Sequence, residues 1–189
     1  MGAMSEYKGE AEERYIFKVI LIGDGAVGKT SLIRRYMEGK FEIDYLPTIG
    51  TQIYTKTIGL AGRKIKLVIW DISGQPAFTS VRSDYYRGAR GVVLVFDLTR
   101  RETYDHLNGW IGETTKYTAN PHVVVVGSKS DLEHQRKVTQ KVGAEYASGI
   151  RAPYIEASAK EGKNVEKLFT MLATDLVSDS EITQRQKKS

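Results

Sequence analysis

The sequence contains no cysteine, no long apolar run and no block of like charges. Without cysteine the chain cannot form a disulfide, bind a metal through thiolates, use a thiol nucleophile or carry a prenylated cysteine. No apolar run approaches the roughly 20 residues that a membrane-spanning helix needs. The net charge is +5, but Lys and Arg are scattered, which argues against nucleic-acid binding and fits attraction to phosphate ligands or anionic membranes.

Length and composition predict one globular domain with polar ends. The chain has 189 residues, of which 41% are hydrophobic and 27% charged, as is usual for a globular protein. Residues 1–14 are polar and are predicted to be flexible, and Met1, Gly2, Ala3 and Met4 look like a tag remnant. The domain is predicted to span residues 15–177, followed by a flexible tail at 178–189.

Apolar runs typical of buried strands alternate with segments of helical spacing. Residues 51–58 and 64–71 read as a hairpin, and Val165–Val177 as a closing helix. Together these patterns predict an α/β fold with a doubly wound, mostly parallel sheet of six strands. The strand at 51–58 is expected to be an antiparallel edge, with about five helices covering both faces. Ligands of such sheets bind at the carboxyl ends of the strands.

A phosphate-binding loop is the clearest motif in the chain. Gly23–Asp24–Gly25–Ala26–Val27–Gly28–Lys29–Thr30 fits G-x-x-x-x-G-K-[ST] and lies between a predicted strand and a predicted helix. We expect Gly23, Gly25 and Gly28 to turn where a Cβ would clash, so that backbone N–H groups converge on phosphate oxygens. Lys29 supplies a cation for the β- and γ-phosphates, and the Thr30 hydroxyl suits Mg²⁺. The alternative is an ordinary glycine-rich turn.

Asp71 ends a predicted strand and is followed by Gly74 and Gln75. A carboxylate opposite a phosphate loop can hold a metal ion through water. Gly74 allows a backbone N–H to approach the terminal phosphate, and Gln75 can orient a water because it both donates and accepts. A strand end with a polar loop explains the same residues equally well.

Two further segments could read a guanine base. In Ser128–Lys129–Ser130–Asp131, the Asp131 carboxylate can accept the N1 and N2 hydrogen bonds of guanine, which adenine cannot offer, while Lys129 can lie along the base. Glu156–Ala157–Ser158–Ala159–Lys160 could donate backbone N–H groups to the guanine O6. Each segment taken alone could be an exposed polar loop.

These four motifs occur in one order, and with them the chain resembles the Ras superfamily of small GTPases. The resemblance is nearest to the Rab branch, covers roughly residues 15–177, and predicts the P-loop small-GTPase fold. The segments that carry it, besides the phosphate loop, are Tyr45–Leu46–Pro47–Thr48–Ile49–Gly50, Trp70–Asp71, Tyr85–Tyr86–Arg87–Gly88–Ala89 and Glu156–Ala157–Ser158–Ala159–Lys160.

The resemblance implies GTP or GDP with Mg²⁺ as ligands, and GTP hydrolysis as the reaction. Mg²⁺ would be bound by Thr30 and Thr48, with Asp71 reaching it through water, and Gln75 and Lys29 would be catalytic. The residues expected at the nucleotide are Gly25, Ala26, Val27, Gly28, Lys29, Thr30, Ser31, Phe41, Tyr45, Thr48, Gly74, Ser128, Lys129, Asp131, Ser158, Ala159 and Lys160.

The resemblance also implies a molecular switch that works in membrane trafficking or signalling. Residues 40–50 and 71–86 would be switch I and switch II, ordered by the γ-phosphate and loosened after hydrolysis. Effectors, an exchange factor and a GTPase-activating protein would bind there. We expect a cytoplasmic monomer, peripheral to membranes only if a lipidated tail has been removed. Phe41 would contact the base and Trp70 the effectors, although core packing would explain both aromatics as well.

Three departures from the family pattern qualify this interpretation. Ser128 stands where Asn is usual and is too short both to bond the base and to tether the phosphate loop. Pro76 replaces the usual Glu and restricts Gln75, and Ile72–Ser73 replaces Thr–Ala, so intrinsic hydrolysis is expected to be slow. The third departure is the missing C-terminal Cys, so that either the sequence has been trimmed or the protein is not prenylated. In addition, no Arg near Thr48 looks like a built-in arginine finger.

Two alternatives to a hydrolysing switch stay open. The chain could be a binding module of the same fold that holds nucleotide and barely cleaves it, which Ser128 and Pro76 favour. It could also be a P-loop nucleotide kinase, although no Arg-rich lid segment follows the phosphate loop.

Overall fold

A computed structural model describes residues 14–41 and 48–188, and it contains one mixed six-stranded sheet. The strand order is β2-β3-β1-β4-β5-β6, and β2 pairs antiparallel with β3 while the other neighbours are parallel. The predicted α/β class and the antiparallel edge strand are therefore confirmed. The strands are β1 (Arg14–Ile22), β2 (Thr51–Leu60), β3 (Arg63–Ile72), β4 (Gly91–Asp97), β5 (His122–Ser128) and β6 (Tyr154–Ala157).

Helices cover both faces of the sheet, as predicted. They are α1 (Lys29–Glu38), α2 (Thr79–Tyr86), α3 (Arg101–Asp105), α4 (Leu107–Thr115), α5 (Gln140–Gly149) and α6 (Val165–Lys188), with short 3₁₀ helices at Pro76–Phe78 and Glu133–Gln135. Only His106 separates α3 from α4, so the two are one interrupted helix and the count of five is confirmed. Within the described ranges, no helix has the length and apolarity needed to cross a bilayer.

The hydrophobic core forms two layers, one on each face of the sheet. Along β1 the side chains alternate, so Val19 and Leu21 pack on one face while Ile20 and Ile22 pack on the other. Helices α1 and α6 cover the first face, and α2, α4 and α5 cover the second. Because β4 and residues 19–22 of β1 are buried on both faces of the sheet, their sequences are continuously apolar.

The ends of two elements differ from the predictions. The β2–β3 turn is limited to Ala61 and Gly62, whose φ angles of 49° and 75° match the tight turn that suits strand twist. The closing helix does not end at Val177 but continues to Lys188, so the predicted tail at 178–189 is helical through that residue. Two ion pairs stabilise the extra turns. Arg90 Nη2 lies 2.6 Å from Asp179 Oδ2, and Arg63 Nη2 lies 2.5 Å from Glu181 Oε1. The predicted N-terminal segment, except for Arg14, is outside the described residues.

Close packing against Tyr154 leaves no room for a side chain at Gly143 in α5. A Cβ at this position would lie 2.5 Å from the Tyr154 hydroxyl, and that hydroxyl is fixed by a 2.8 Å hydrogen bond to Glu156. We expect Gly143→Ala to lower the free energy of unfolding by about 1–2 kcal/mol, because overpacking exceeds the gain of about 1 kcal/mol in helix propensity.

The matched control is Gly112→Ala in α4, where an added Cβ meets nothing within 4 Å. This variant should raise the free energy of unfolding by about 0.5–1 kcal/mol. Urea denaturation of both variants checks the pair, and equal stabilisation by the two substitutions would contradict the packing argument.

Candidate functional site

A cleft of about 360 Å³ lies where the carboxyl ends of β1, β3, β5 and β6 meet. Its volume suits a small-molecule ligand. The predicted residues that line it are Gly25, Ala26, Gly28, Lys29, Thr30, Ser31, Phe41, Thr48, Gly74, Gln75, Ser128, Lys129, Asp131, Ala159 and Lys160. Val27, Asp71 and Ser158 are buried behind this lining, and Tyr45 lies outside the described residues.

The phosphate loop needs glycine at two positions, Gly23 and Gly28, for different reasons. Gly23 has φ of 136°, and a Cβ there would lie 2.1 Å from the Val95 carbonyl oxygen. Gly28 has φ of 100° and space around it, so its requirement is conformational. The expected clash at Gly25 is wrong, because a Cβ there would meet nothing within 4 Å.

Lys29 is a buried cation held by backbone carbonyls. Its ammonium donates to the carbonyl oxygens of Gly23 at 2.7 Å and of Asp24 at 2.8 Å, and the residue is only 6% exposed. Burial lowers the pKa of Lys29 to about 8, although the charges of Asp71 and Asp24 oppose this shift. An anion in the cleft would therefore be favoured, because it would compensate a desolvated positive charge.

Three oxygen-bearing side chains converge beside Lys29. The Thr30 hydroxyl donates to Asp71 Oδ2 at 2.5 Å, and the Thr30 and Thr48 hydroxyl oxygens are 2.8 Å apart. Burial raises the pKa of Asp71, against the hydrogen bond from Thr30 and the charge of Lys29. Asp71 Oδ1 is buried without a hydrogen-bond partner in the described part of the chain. The two hydroxyl oxygens and the carboxylate are hard oxygen ligands, and one carboxylate oxygen has no partner. The arrangement therefore fits a divalent ion such as Mg²⁺.

The segment after β3 packs directly on the phosphate loop. A Cβ at Gly74 would lie 2.4 Å from the Asp24 carbonyl carbon, so glycine is required there by close backbone approach. The Ser73 hydroxyl accepts from the Gln75 backbone N–H at 3.3 Å. The Gln75 side-chain amide lies 3.5 Å from the Thr48 carbonyl oxygen, which makes it a weak link between the two predicted switch segments.

The predicted base-reading residues are assembled at the opposite end of the cleft. Asp131 Oδ1 accepts a 2.7 Å hydrogen bond from the Ser158 hydroxyl, which itself accepts from the Glu161 backbone N–H at 3.1 Å. Lys129 pairs with Asp97 at 2.5 Å. Burial alone would raise the pKa of Asp97, but hydrogen bonds from Lys129 and Thr99 outweigh it and the pKa is lowered.

Ser128 retains one of the two roles expected of an asparagine. Its hydroxyl donates to the Val27 carbonyl, and the residue is 2% exposed. The tether from β5 to the phosphate loop is therefore present, and the expectation that serine is too short to form it is wrong. A single hydroxyl hydrogen that is used for the tether is not available to the base.

Sequence reasoning missed three arginines at the site. Arg35 donates from Nε to the Ala159 carbonyl at 2.6 Å and from Nη2 to the Lys160 carbonyl at 2.5 Å, and Arg100 donates to the Gly25 carbonyl at 2.8 Å. Arg34 lines the cleft, and its one signal in the sequence is its position four residues after Thr30 on the same helix face. The Arg35 and Arg100 contacts join segments far apart in sequence and leave no local pattern.

The sequence allows two interpretations of Phe41 and Trp70, either contact with a ligand or partner or packing in the core. Phe41 both lines the cleft and packs against the core, so the two interpretations are compatible. Trp70 is half-buried, with its ring under the Lys18 ammonium at 3.8 Å and beside Tyr85.

The loop at 158–160 should depend on Arg35. We expect Arg35→Met to increase hydrogen exchange in residues 158–161, because the loop loses two hydrogen bonds from a charged donor, each worth about 1.5–3 kcal/mol. Arg101→Met is the control, since Arg101 is exposed and bonds Asp105 within its own helix. Exchange measured by mass spectrometry should separate the two, and equal protection of the loop in both variants would contradict this role.

A comparison with known families adds an independent finding to this geometry. The model of the Ras family matches residues 18–178. The matched range contains every residue predicted at the site, including those buried behind the cleft.

Proposed function

The chain belongs to the Ras family, and we propose that the described cleft is its guanine-nucleotide site. As a member of this family it is a small GTPase, which binds guanine nucleotide, hydrolyses GTP and acts as a switch. The single observation that carries the assignment to the cleft is the convergence of Lys29, Thr30 and Asp71 at the carboxyl end of the sheet.

In this proposal Lys29 and the phosphate loop bind the triphosphate. The residues from Gly25 to Ser31 present backbone N–H groups at the start of α1, where the helix dipole favours anions. Lys29 is already desolvated, so its charge is strongly available to β- and γ-phosphate oxygens. Ser31 lies in the first turn of α1, and Val27 is buried in the core behind the loop.

We propose a bound Mg²⁺ because one buried oxygen of Asp71 has no hydrogen-bond partner among the described residues. Thr30 and Thr48 would hold the ion directly and Asp71 would hold it through water, which would use the orphaned Oδ1. A bound Mg²⁺ would neutralise charge on the β- and γ-phosphates. Titration of GDP affinity with and without Mg²⁺ tests this part, with Asp71→Asn as the variant that should lose the dependence.

At the other end, Asp131 would accept the N1 and N2 hydrogen bonds of guanine. Ser158 orients that carboxylate by donating to one of its oxygens. Lys129 would lie along the base, Phe41 would contact it edge-on, and backbone groups of Ala159 and Lys160 would reach O6. Arg35 supports this last segment by holding the Ala159 and Lys160 carbonyls.

Hydrolysis in this proposal is slow and depends on a partner. Gln75 would orient the attacking water while Lys29 stabilises charge on the γ-phosphate. Gln75 instead lies near Thr48 and is followed by Pro76, so it must reorient before it can act. In Ras itself, an arginine supplied by a partner protein accelerates hydrolysis by about 10⁵-fold.

A binding module that barely cleaves GTP is the second candidate, favoured by the same Gln75 placement. Identification of the nucleotide released from the purified protein tests the guanine assignment, and an adenosine compound would overturn it. Multiple-turnover phosphate release, with and without cell extract, then separates a switch from a binding module. Release that stays at background in both conditions would favour the module.

Guanine selectivity should survive the serine at position 128. We expect nucleotide-free protein to bind GDP about 10⁴-fold more tightly than ADP, because Asp131 rejects adenine. Ser128→Asn should raise GDP affinity roughly tenfold or less, since it restores one neutral hydrogen bond worth about 0.5–1.5 kcal/mol. Calorimetry checks both, and equal affinity for ADP and GDP would rule out the base-reading role.

The proline after Gln75 should slow the chemical step. We expect Pro76→Glu to raise the single-turnover rate of GTP hydrolysis several-fold, because Gln75 is then freed from the restriction before proline. GDP affinity should change little. Indistinguishable hydrolysis rates for wild type and variant would show that Pro76 does not limit the reaction.

We also propose the finer identity that the motifs favour. The residues around Tyr45–Gly50, Trp70 and Tyr85–Ala89 support a Rab-like branch, a role in trafficking or signalling, and protein partners at residues 40–50 and 71–86. We propose a cytoplasmic monomer that does not bind nucleic acid. Membrane association would need a lipidated tail that has been removed, because these 189 residues include no cysteine. Sedimentation of the GDP-bound and GTP-bound protein, with and without anionic vesicles, tests whether the protein is a monomer and whether it binds membranes.

A further inference from the structure

Helix α4 and the residue before it contact the phosphate loop at Asp24. The indole Nε1–H of Trp110 donates to Asp24 Oδ1 at 2.6 Å, and His106 Nδ1 lies 2.7 Å from Asp24 Oδ2. Because a carboxylate only accepts, the Nδ1–H of His106 is the donor. Each oxygen of the carboxylate is thus held by a different side chain of the α3–α4 segment.

The backbone of the same residue supports the reacting end of the cleft. The Asp24 carbonyl oxygen accepts from the Lys29 ammonium at 2.8 Å, and its carbonyl carbon would lie 2.4 Å from a Cβ at Gly74. Any rotation of Asp24 that follows loss of its side-chain bonds would therefore move the contacts of both Lys29 and Gly74.

Trp110 also contacts the helix of switch II. The Arg82 guanidinium of α2 lies 4.4 Å from the centre of the Trp110 ring, and it lies 3.7 Å from the Glu113 carboxylate. The indole is 7% exposed and Arg82 is 5% exposed, so this contact is part of a packed interface between α2 and α4. One aromatic side chain therefore touches both the phosphate loop and switch II.

We propose that Trp110 and His106 are positioning residues for the nucleotide site, which act through Asp24 on Lys29 and Gly74. The proposal rests on the guanine-nucleotide function proposed above. It assigns to α4 a control over nucleotide retention and hydrolysis, although no residue of α4 lines the main cleft. Neither residue touches the reacting atoms.

The test begins with Trp110→Phe, which removes the N–H donor and keeps a ring for Arg82. GDP dissociation should become about tenfold faster, because one hydrogen bond to a charged group is lost, and single-turnover GTP hydrolysis should slow. The control is Tyr146→Phe, which deletes a buried ring hydroxyl that has no partner in the described part of the chain. Equal GDP dissociation from the two variants would overturn the proposal.

A pH profile gives a readout that a purely structural role would not change. Asp24 raises the pKa of His106 above 6.5, by hydrogen bonding and by charge, and Asp105 and Glu102 add to this. Glu113 faces the same recess. The charged form of His106 is favoured below the raised pKa, so GDP dissociation should be slowest there and should accelerate as pH rises through it.

His106→Gln keeps a donor for Asp24 but does not titrate near neutral pH. It should retain GDP as wild type does at high pH and lack the acceleration that wild type shows as pH rises through the raised pKa of His106. The His106 side chain is 59% exposed, so folding should be unaffected. An unchanged pH profile in this variant would remove His106 from the proposal.

The outcomes separate this inference from the function on which it rests. Wild-type protein that fails to retain either GDP or GTP would contradict the proposed nucleotide site. Wild-type protein that retains GDP, with variants that release it at the same rate and with the same pH profile, would contradict only the positioning roles.

Discussion

Close backbone contacts fix the phosphate loop, and the geometry of the site depends on them. Gly23 leaves no room for a Cβ against Val95, and Gly74 leaves none against Asp24. Main-chain segments after β1 and β3 and within β4 therefore touch without intervening side chains. Such contacts cannot adjust by rotamer changes, so a displacement of one segment has to displace the next.

Buried charge is the second feature that prepares the site. Lys29 and Asp71 are both inside the protein, and each has its pKa moved toward the neutral form by burial. Such groups reduce the stability of the empty protein, because their desolvation is not fully compensated. A ligand that brings negative phosphate and a divalent cation compensates both at once, so binding and folding stability are linked.

The sequence was sufficient to predict the fold and to bring most of the motif residues to one cleft, but it did not reveal the arginines beside them or the contacts between distant segments. Strand and helix order could be predicted because apolar periodicity is local, and the motif residues meet because parallel strands end at one edge. The tether from Ser128 to Val27, and the bonds from Arg35 to Ala159 and Lys160, join distant segments that no local pattern marks. Helix α6 extends past Val177 because ion pairs with Arg63 and Arg90 anchor its polar turns, and those partners could not be identified beforehand.

The hairpin of β2 and β3 has a further consequence for how the protein can diversify. Its ladder begins where Thr51 pairs with Ile72, next to Thr48 and Asp71, and continues for ten residue pairs to Leu60 and Arg63. The spacing of Thr48 and Asp71 is therefore set by the strand register at the end of the hairpin where Thr51 pairs with Ile72. Residues inserted at Ala61–Gly62 would extend the remote end and leave that register intact, so this turn is a permissive place for evolutionary insertions or an engineered epitope.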